Sequence, residues 1–268
     1  MAELCHTMGL VIRCKREKDV VLTLLTPEMG RITVIAKGAR SLKGTQMALS
    51  QLFAYGDFEL YRRGDLYWLH TGELKENFYG ISTRLDALNL GVYFCDLAYA
   101  LSEQGEPCGD LLRLLLNSLY FIANKTHPDE LVKGVLEWRL LAMEGVSPAV
   151  NACCVCGRTH DGGFALDIAQ GELLCGECRT RREILTPADV NARALEDVPL
   201  HEWVLLSQGA VDAIRFALST PTDKMMSFRL DSPDDGRDFS RAGEKFLRYH
   251  LDIESTALQM YRMMQGKG

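Results

Sequence analysis

Residues 6–38 read HTMGLVIRCKREKDVVLTLLTPEMGRITVIAKG, three short apolar runs separated by polar breaks. In the first run Met8, Leu10, Ile12 and Cys14 alternate with Thr7, Gly9, Val11, Arg13 and Lys15. A period of two predicts a strand with the first set inside and the charges outside. The second run, DVVLTLLT, is rich in β-branched and aliphatic residues. Pro27–Glu28–Met29–Gly30 then forms a turn, because Pro fixes φ and Gly tolerates a positive φ after it, and RITVIAKG returns as a third strand. After a loop, GARSLKGTQMALS, the segments QLFAYGDFELY (51–61) and LYWLHTGEL (66–74) read as two more strands around an Arg62–Asp65 turn. Five strands in so short a span predict a closed barrel, since closure removes exposed edges.

The pattern changes near Ser82. Leu85, Leu88, Val92, Cys95 and Tyr99 recur at helical spacing until Gly105–Glu106–Pro107. GDLLRLLLNSLYFIANK and the stretch from Pro128 to Gly145 predict two further helices, with Asp129 at the positive N-terminal end of the second. SQGAVDAIRFALST and SRAGEKFLRYHLDIESTALQMYRMM are again helical, and SPDDGRD (232–238) between them reads as a loop. The fold class is therefore multidomain β + α: a barrel over residues 1–80 and a helical domain over 81–268, interrupted at about 151–182 by a cysteine-rich insert.

That insert reads CCVCGRTHDGGFALDIAQGELLCGEC from Cys153 to Cys178, with Cys153-x-x-Cys156 and Cys175-x-x-Cys178 separated by 18 residues. Each pair puts two thiolates on one tight turn, and two such turns supply the four sulfurs of a tetrahedral zinc site. Cys153, Cys156, Cys175 and Cys178 are accordingly the predicted ligands of one structural zinc. Cys154 competes with Cys153 for the first position, with a poorer bite, and His160 is a further nearby donor. Gly157 and Gly176 stand where the backbone must bend, and Phe164, Leu166 and Ile168 alternate before a Gln170–Gly171 turn. Four sulfurs close the coordination sphere and leave no position for a reactive water. No Gly-x-Ser-x-Gly, His-Glu-x-x-His or phosphate-loop motif is present, so the sequence points away from an enzyme.

The chain has 268 residues, 47% of them hydrophobic, and a formal charge of −6 that is unevenly spread. Residues 13–43 carry eight Lys or Arg against three acids, a local +5, so the remainder totals −11. This segregation suggests a basic working face on an acidic body. Arg13, Lys15 and Arg31 fall at outward barrel positions, and Lys37, Arg40 and Lys43 line the loop after the third strand; these six are the candidate DNA contacts. Nine cysteines, no signal peptide and no membrane-length apolar run predict a cytoplasmic protein with no membrane partner.

Taken together, the five-stranded N-terminal barrel, VIAKGARS at 34–41, LLAMEGVSP at 140–148, the CCVC and GELLCGEC pair and FLRYHL at 246–251 resemble the RecO family of bacterial recombination mediators. The resemblance implies an OB-fold barrel, a helical domain and, in many members, a four-cysteine zinc insert. It implies binding to single- and double-stranded DNA, annealing of complementary strands, and cooperation with RecR and the C-terminal tail of single-stranded DNA-binding protein, helping to load RecA, in a nucleoid-associated setting. Lys37, Gly38, Ala39, Arg40 and Ser41 match the family's basic loop, although LKGTQ adds only Lys43 where many relatives carry a denser basic run. Glu254 beside Ser255 stands where the family tends to place a basic residue, and no contact is assigned there. Lys133 and Arg139 near Trp138 form one basic helix edge towards which such a tail would be drawn, too commonplace a feature to assign. The reading from another class is a zinc-ribbon regulatory or RNA-binding protein that touches nucleic acid through Arg158, Arg179, Arg181 and Arg182 around the cysteines.

Overall fold

A computed structural model describes residues 3–16, 18–37, 44–181 and 203–266. The N-terminal strands are β1 (Glu3–Arg16), β2 (Val20–Thr26), β3 (Gly30–Ala36), β4 (Tyr55–Arg63) and β5 (Leu66–Glu76), with the short helix α1 (Gly44–Leu49) between β3 and β4. They form a closed barrel in the order β1-β2-β3-β5-β4, antiparallel except for the β3–β5 pair. Stepping sideways from Leu4 through Tyr61, Trp68, Ile35 and Val21 to Lys15 returns to β1 eleven residues further along, one of them the extra residue of a bulge. The even stagger that remains keeps inward and outward residues in phase around the ring.

That bulge, between Val11 and Arg13, corrects the phase expected for the first strand. Val11 and Cys14, not Leu10 and Ile12, pack with the barrel core of Val20, Leu22, Leu24, Ile32, Val34, Phe58 and Leu60. An inserted residue switches the side chains beyond it to the opposite face, so one strand serves the barrel interior on both sides of the switch. Leu10 and Ile12 are nonetheless fully buried, on the other side of the strand.

Helices α2 (Tyr79–Ser82), α3 (Leu85–Ala100), α4 (Gly109–Asn124) and α5 (Asp129–Met143) follow. Beyond them come strands β6 (Phe164–Asp167) and β7 (Leu173–Cys175), helix α6 (Gly176–Arg181), strand β8 (Trp203–Leu206), and helices α7 (Gln208–Ser219), α8 (Pro233–Leu251) and α9 (Thr256–Met264). The chain divides into two compact units, Met1–Asp129 with Ser255–Gly268, and Glu130–Glu254. Helices α2 to α4 and α9 thus share a unit with the barrel. No described helix is long and apolar enough to cross a membrane.

Within the first unit the Pro27–Gly30 turn is the hook between barrel and helices. Arg31 N–H donates to Glu103 O, Gly105 N–H to Met29 O and Cys108 N–H to Pro27 O, each at 3.0 Å. Gly30 has φ +63°, and a Cβ there would lie 2.0 Å from the Glu103 carbonyl oxygen, so glycine is required both by conformation and by space. A second tie is a stack: the guanidinium carbons of Arg13 and Arg31 lie 3.4 and 3.8 Å from the Tyr99 ring centroid on α3. Arg13 also meets Asp96 at 3.3 Å, and Asp96 accepts from Ser255, the N-cap of α9, at 2.7 Å. Barrel, α3 and α9 are joined through these few groups. Tyr99→Ala removes both cation–π contacts and is expected to cost about 2 kcal/mol, read as a shift in the denaturant midpoint at unchanged slope.

In the second unit β6 pairs with β7 and β8 in a three-stranded antiparallel sheet ordered β7-β6-β8. The segment at 232–238, expected as a loop, instead opens α8. Ser232 caps it by accepting from Asp234 N–H at 3.1 Å, Pro233 occupies the first turn, and Asp234 and Asp235 face the positive end of the helix. Helices α5 and α8 approach closely because both present glycine. A Cβ on Gly134 would lie 2.7 Å from the Phe239 ring, and one on Gly243 would lie 3.0 Å from Trp138 Nε1. Trp138 is completely buried there and donates from Nε1 to Phe239 O at 3.1 Å.

This packing takes the basic helix edge of Lys133 and Arg139 near Trp138, to which no tail contact is assigned, largely out of solvent. Lys133 is only 3% exposed, and its Nζ lies 2.9 Å from Glu137 Oε1, 2.8 Å from Glu244 Oε2 and 3.3 Å from Ser240 Oγ. Arg139 is partly buried and donates to the Ala217 and Leu218 carbonyl oxygens.

Candidate metal centre and nucleic-acid interface

The hairpin of β6 and β7 brings the two cysteine pairs together. Its turn is built by Asp167, whose Oδ1 accepts from Ala169 and Gln170 N–H, and by Gly171 at φ +67°. Cys175 ends β7 opposite Phe164, and Cys178 follows on α6. On the other arm Cys153 N–H donates to Arg158 O and Gly157 N–H to Cys153 O, with Gly157 at φ +72° closing the knuckle. The Sγ atoms of Cys153, Cys156, Cys175 and Cys178 all lie within 4.8 Å of one another, and Cys156 and Cys175 are 3.6 Å apart.

Sulfurs about 2.3 Å from a tetrahedral metal lie about 3.8 Å apart, so this group has the dimensions of a four-sulfur site. Cys154 is exposed outside it, its backbone N–H bonded to Leu173 O, and His160 is likewise exposed and outside the group. Burial opposes ionisation of Cys153 most strongly, but N–H groups of Cys175, Cys156 and Val155 outweigh it and bring that thiol down to about 6. Burial pushes Cys175 up, and burial together with the neighbouring sulfurs pushes Cys178 up to about 12. Four thiolates are stable together only with a cation between them, since a metal-bound thiol gives up its proton.

Asp161 supports the site and was not singled out by the sequence. Its carboxylate accepts from Gly176 N–H and Gly162 N–H at 2.8 Å each, which holds it below the usual carboxylate range and fixes the turn that carries Cys175. The signal was an Asp before Gly162–Gly163, a turn-forming arrangement. Around the knuckle, Arg158 pairs with Glu177 at 2.8 Å and Arg181 pairs with the same carboxylate. Arg182 lies outside the described residues.

Of the six basic residues predicted to meet phosphate, Arg13 and Arg31 are the two stacked on Tyr99. Lys15 is exposed near the end of β1, and Lys37 is exposed just beyond β3. Arg40 and Lys43 lie outside the described residues. The pairing places Arg16 beside Val20 and Val20 beside Ala36, so exposed Arg16, Lys18 and Lys37 gather at one end of the barrel.

A closed five-stranded barrel with a helical part and a four-cysteine module is the class these elements define. Residues 1–78 match the family model described as Recombination protein O N terminal, and residues 82–196 match Recombination protein O C terminal. The chain belongs to the RecO family of DNA repair and recombination proteins. It is 25% identical over 260 residues to DNA repair protein RecO of Acetivibrio thermocellus, covering 96% of each chain. It is 30% identical over 177 residues to the protein of that name from Alkaliphilus metalliredigens, covering 65% of this chain and 72% of the relative. With the Listeria monocytogenes protein it shares 30% over 172 residues, 63% of this chain and 67% of the relative.

Proposed function

We propose that the protein is a non-enzymatic recombination mediator that binds single- and double-stranded DNA through the N-terminal barrel and anneals complementary strands. The observation that carries this reading is the concentration of exposed Arg16, Lys18 and Lys37 at one end of a barrel in a RecO-family chain. In the sequence Arg40 and Lys43 follow Lys37 closely. Cations so placed neutralise phosphates without reading bases, which suits a protein that must take any sequence. The strand order 1-2-3-5-4 supports an OB-fold for residues 1–80, with residues 81–268 as the helical domain and about 151–182 as its insert.

The four sulfurs hold one zinc ion, which supplies cross-linking and no chemistry, because the donor set leaves no open coordination position. By family resemblance the partners are RecR and the tail of single-stranded DNA-binding protein, with RecA loaded indirectly, in the cytoplasm at the nucleoid. The zinc-ribbon reading is less well supported, since Arg158 and Arg181 are tied to Glu177 and so partly neutralised.

Annealing of complementary oligonucleotides tests the proposal. Lys37→Glu with Arg40→Glu should slow annealing at least about tenfold at moderate salt, whereas Arg179→Glu with Arg181→Glu should leave it within about twofold. The opposite ranking would transfer the nucleic-acid surface to the knuckle.

A further inference from the structure

The barrel carries a feature that phosphate neutralisation does not use. Trp68 lies directly between Ile35 on β3 and Tyr61 on β4 in the sheet register. The barrel interior takes Val34, Leu60, Tyr67 and Leu69, so Ile35, Tyr61, Trp68 and His70 form one outward set. Tyr61 is 36% exposed, Trp68 is half-buried, and His70 is exposed with its ring 4.8 Å from that of Tyr61. Cross-strand aromatic pairs stabilise a sheet, but this one lies on the barrel's outer face.

Its surroundings are cationic. The exposed Arg63 guanidinium carbon lies 5.7 Å from the Trp68 ring centroid, and Arg62 lies 5.9 Å from that of Tyr67. Lys37 follows Ile35 by two residues. The acids nearby are Glu3, in register opposite Arg62, Glu59, whose carboxylate meets His6 at 3.6 Å, and Asp65 in the β4–β5 turn. Aromatic rings flanked by guanidinium and ammonium groups match a chain of unpaired bases and phosphates, and duplex DNA hides the base faces that such rings would stack on.

We infer that the outward set of Ile35, Tyr61, Trp68 and His70 is a stacking platform for the unpaired bases of a single strand, giving the barrel a preference for single strands over duplex. The inference rests on the proposal that the barrel binds DNA. Lys37 and the arginines hold the backbone; Trp68 and Tyr61 sense whether the bases are free.

The test compares the full-length protein with Trp68→Ala, Trp68→Phe and Lys37→Glu, measuring affinity for a fluorescent oligothymidylate and for a hairpin duplex across a salt series. Trp68→Ala is expected to weaken oligothymidylate binding about tenfold or more, to leave duplex binding within about twofold, and to leave the salt slope unchanged. Trp68→Phe should retain most of the affinity. Lys37→Glu should weaken both ligands and flatten the slope. Equal losses for the two ligands in Trp68→Ala, or no loss in either, would overturn the platform while the barrel reading stands; a wild type that binds neither ligand at low salt would overturn both. Should Trp68→Ala fail to fold, the emission lost between wild type and Trp68→Phe isolates Trp68, which must be quenched by oligothymidylate and not by duplex.

Discussion

Replacing Cys175 with serine is expected to strip the metal from the protein and to destabilise the Glu130–Glu254 unit by at least about 3 kcal/mol. Structural zinc contributes an apparent 10–16 kcal/mol, roughly, in small zinc modules at neutral pH. A module already seated on a sheet loses only part of that. Of the four clustered cysteines Cys175 has most to lose. It is fully buried, it sits in register opposite Phe164 at the end of β7, and the turn after it is pinned by Asp161. Without its sulfur the knuckle arm carrying Cys153 and Cys156 is no longer tied through a metal to the hairpin. Metal analysis should give one zinc per wild-type chain and essentially none in the variant, with a lower thermal midpoint. A folded wild type purified without chelator and free of metal would contradict the assignment.

Lys133→Met is expected to cost about 3–5 kcal/mol, because it leaves two carboxylates facing each other in the packed seam of α5 and α8. Glu137 is completely buried and Glu244 largely so, and Lys133 Nζ is the cation both of them meet. Removing the cation removes its share of the compensation but not the cost of burying the charges. Adding Glu137→Leu to Lys133→Met should recover a large part of the loss, since replacing a buried pair by apolar groups is often close to neutral. Chemical denaturation of the two variants measures this directly. A Lys133→Met protein within about 0.5 kcal/mol of wild type would mean that Lys133 is solvated.

The barrel was legible because its strands obey two local rules that need no distant partner: alternation, and a turn that demands a positive φ at Gly30. The bulge was harder to see. Leu10, Val11 and Ile12 are three successive apolar residues, all buried, and a strict period of two cannot serve all three. Their run was the available sign of a face switch. The start of α8 was also readable, as Ser232–Pro233 in the capping and first helical positions, but the Asp and Gly content of SPDDGRD suggested a loop.

The burial of Lys133 had no local sign at all. Its partner Glu244 lies more than a hundred residues away, and the packing of α5 against α8, through the glycines and the Trp138 hydrogen bond to Phe239 O, brings the two together. The same holds for Arg13 and Arg31, whose outward positions were predictable and whose capture by Tyr99 was not. The cysteine group was legible from spacing alone, because metal geometry fixes the distance between ligands more tightly than hydropathy fixes a strand. Its support by Asp161 required the fold.

The proposed role of the barrel as a phosphate-binding surface is tested most directly by the salt dependence of binding to a fluorescent single-stranded oligonucleotide, for wild type and for Lys37→Glu with Arg40→Glu. The predicted result is a steep fall of affinity with salt in the wild type and a shallower, weaker curve in the double reversal, because each phosphate contact contributes about −0.7 to the logarithmic slope on single strands. Superimposable curves, or a wild type that binds nothing even at low salt, would contradict a barrel that works by neutralising phosphates.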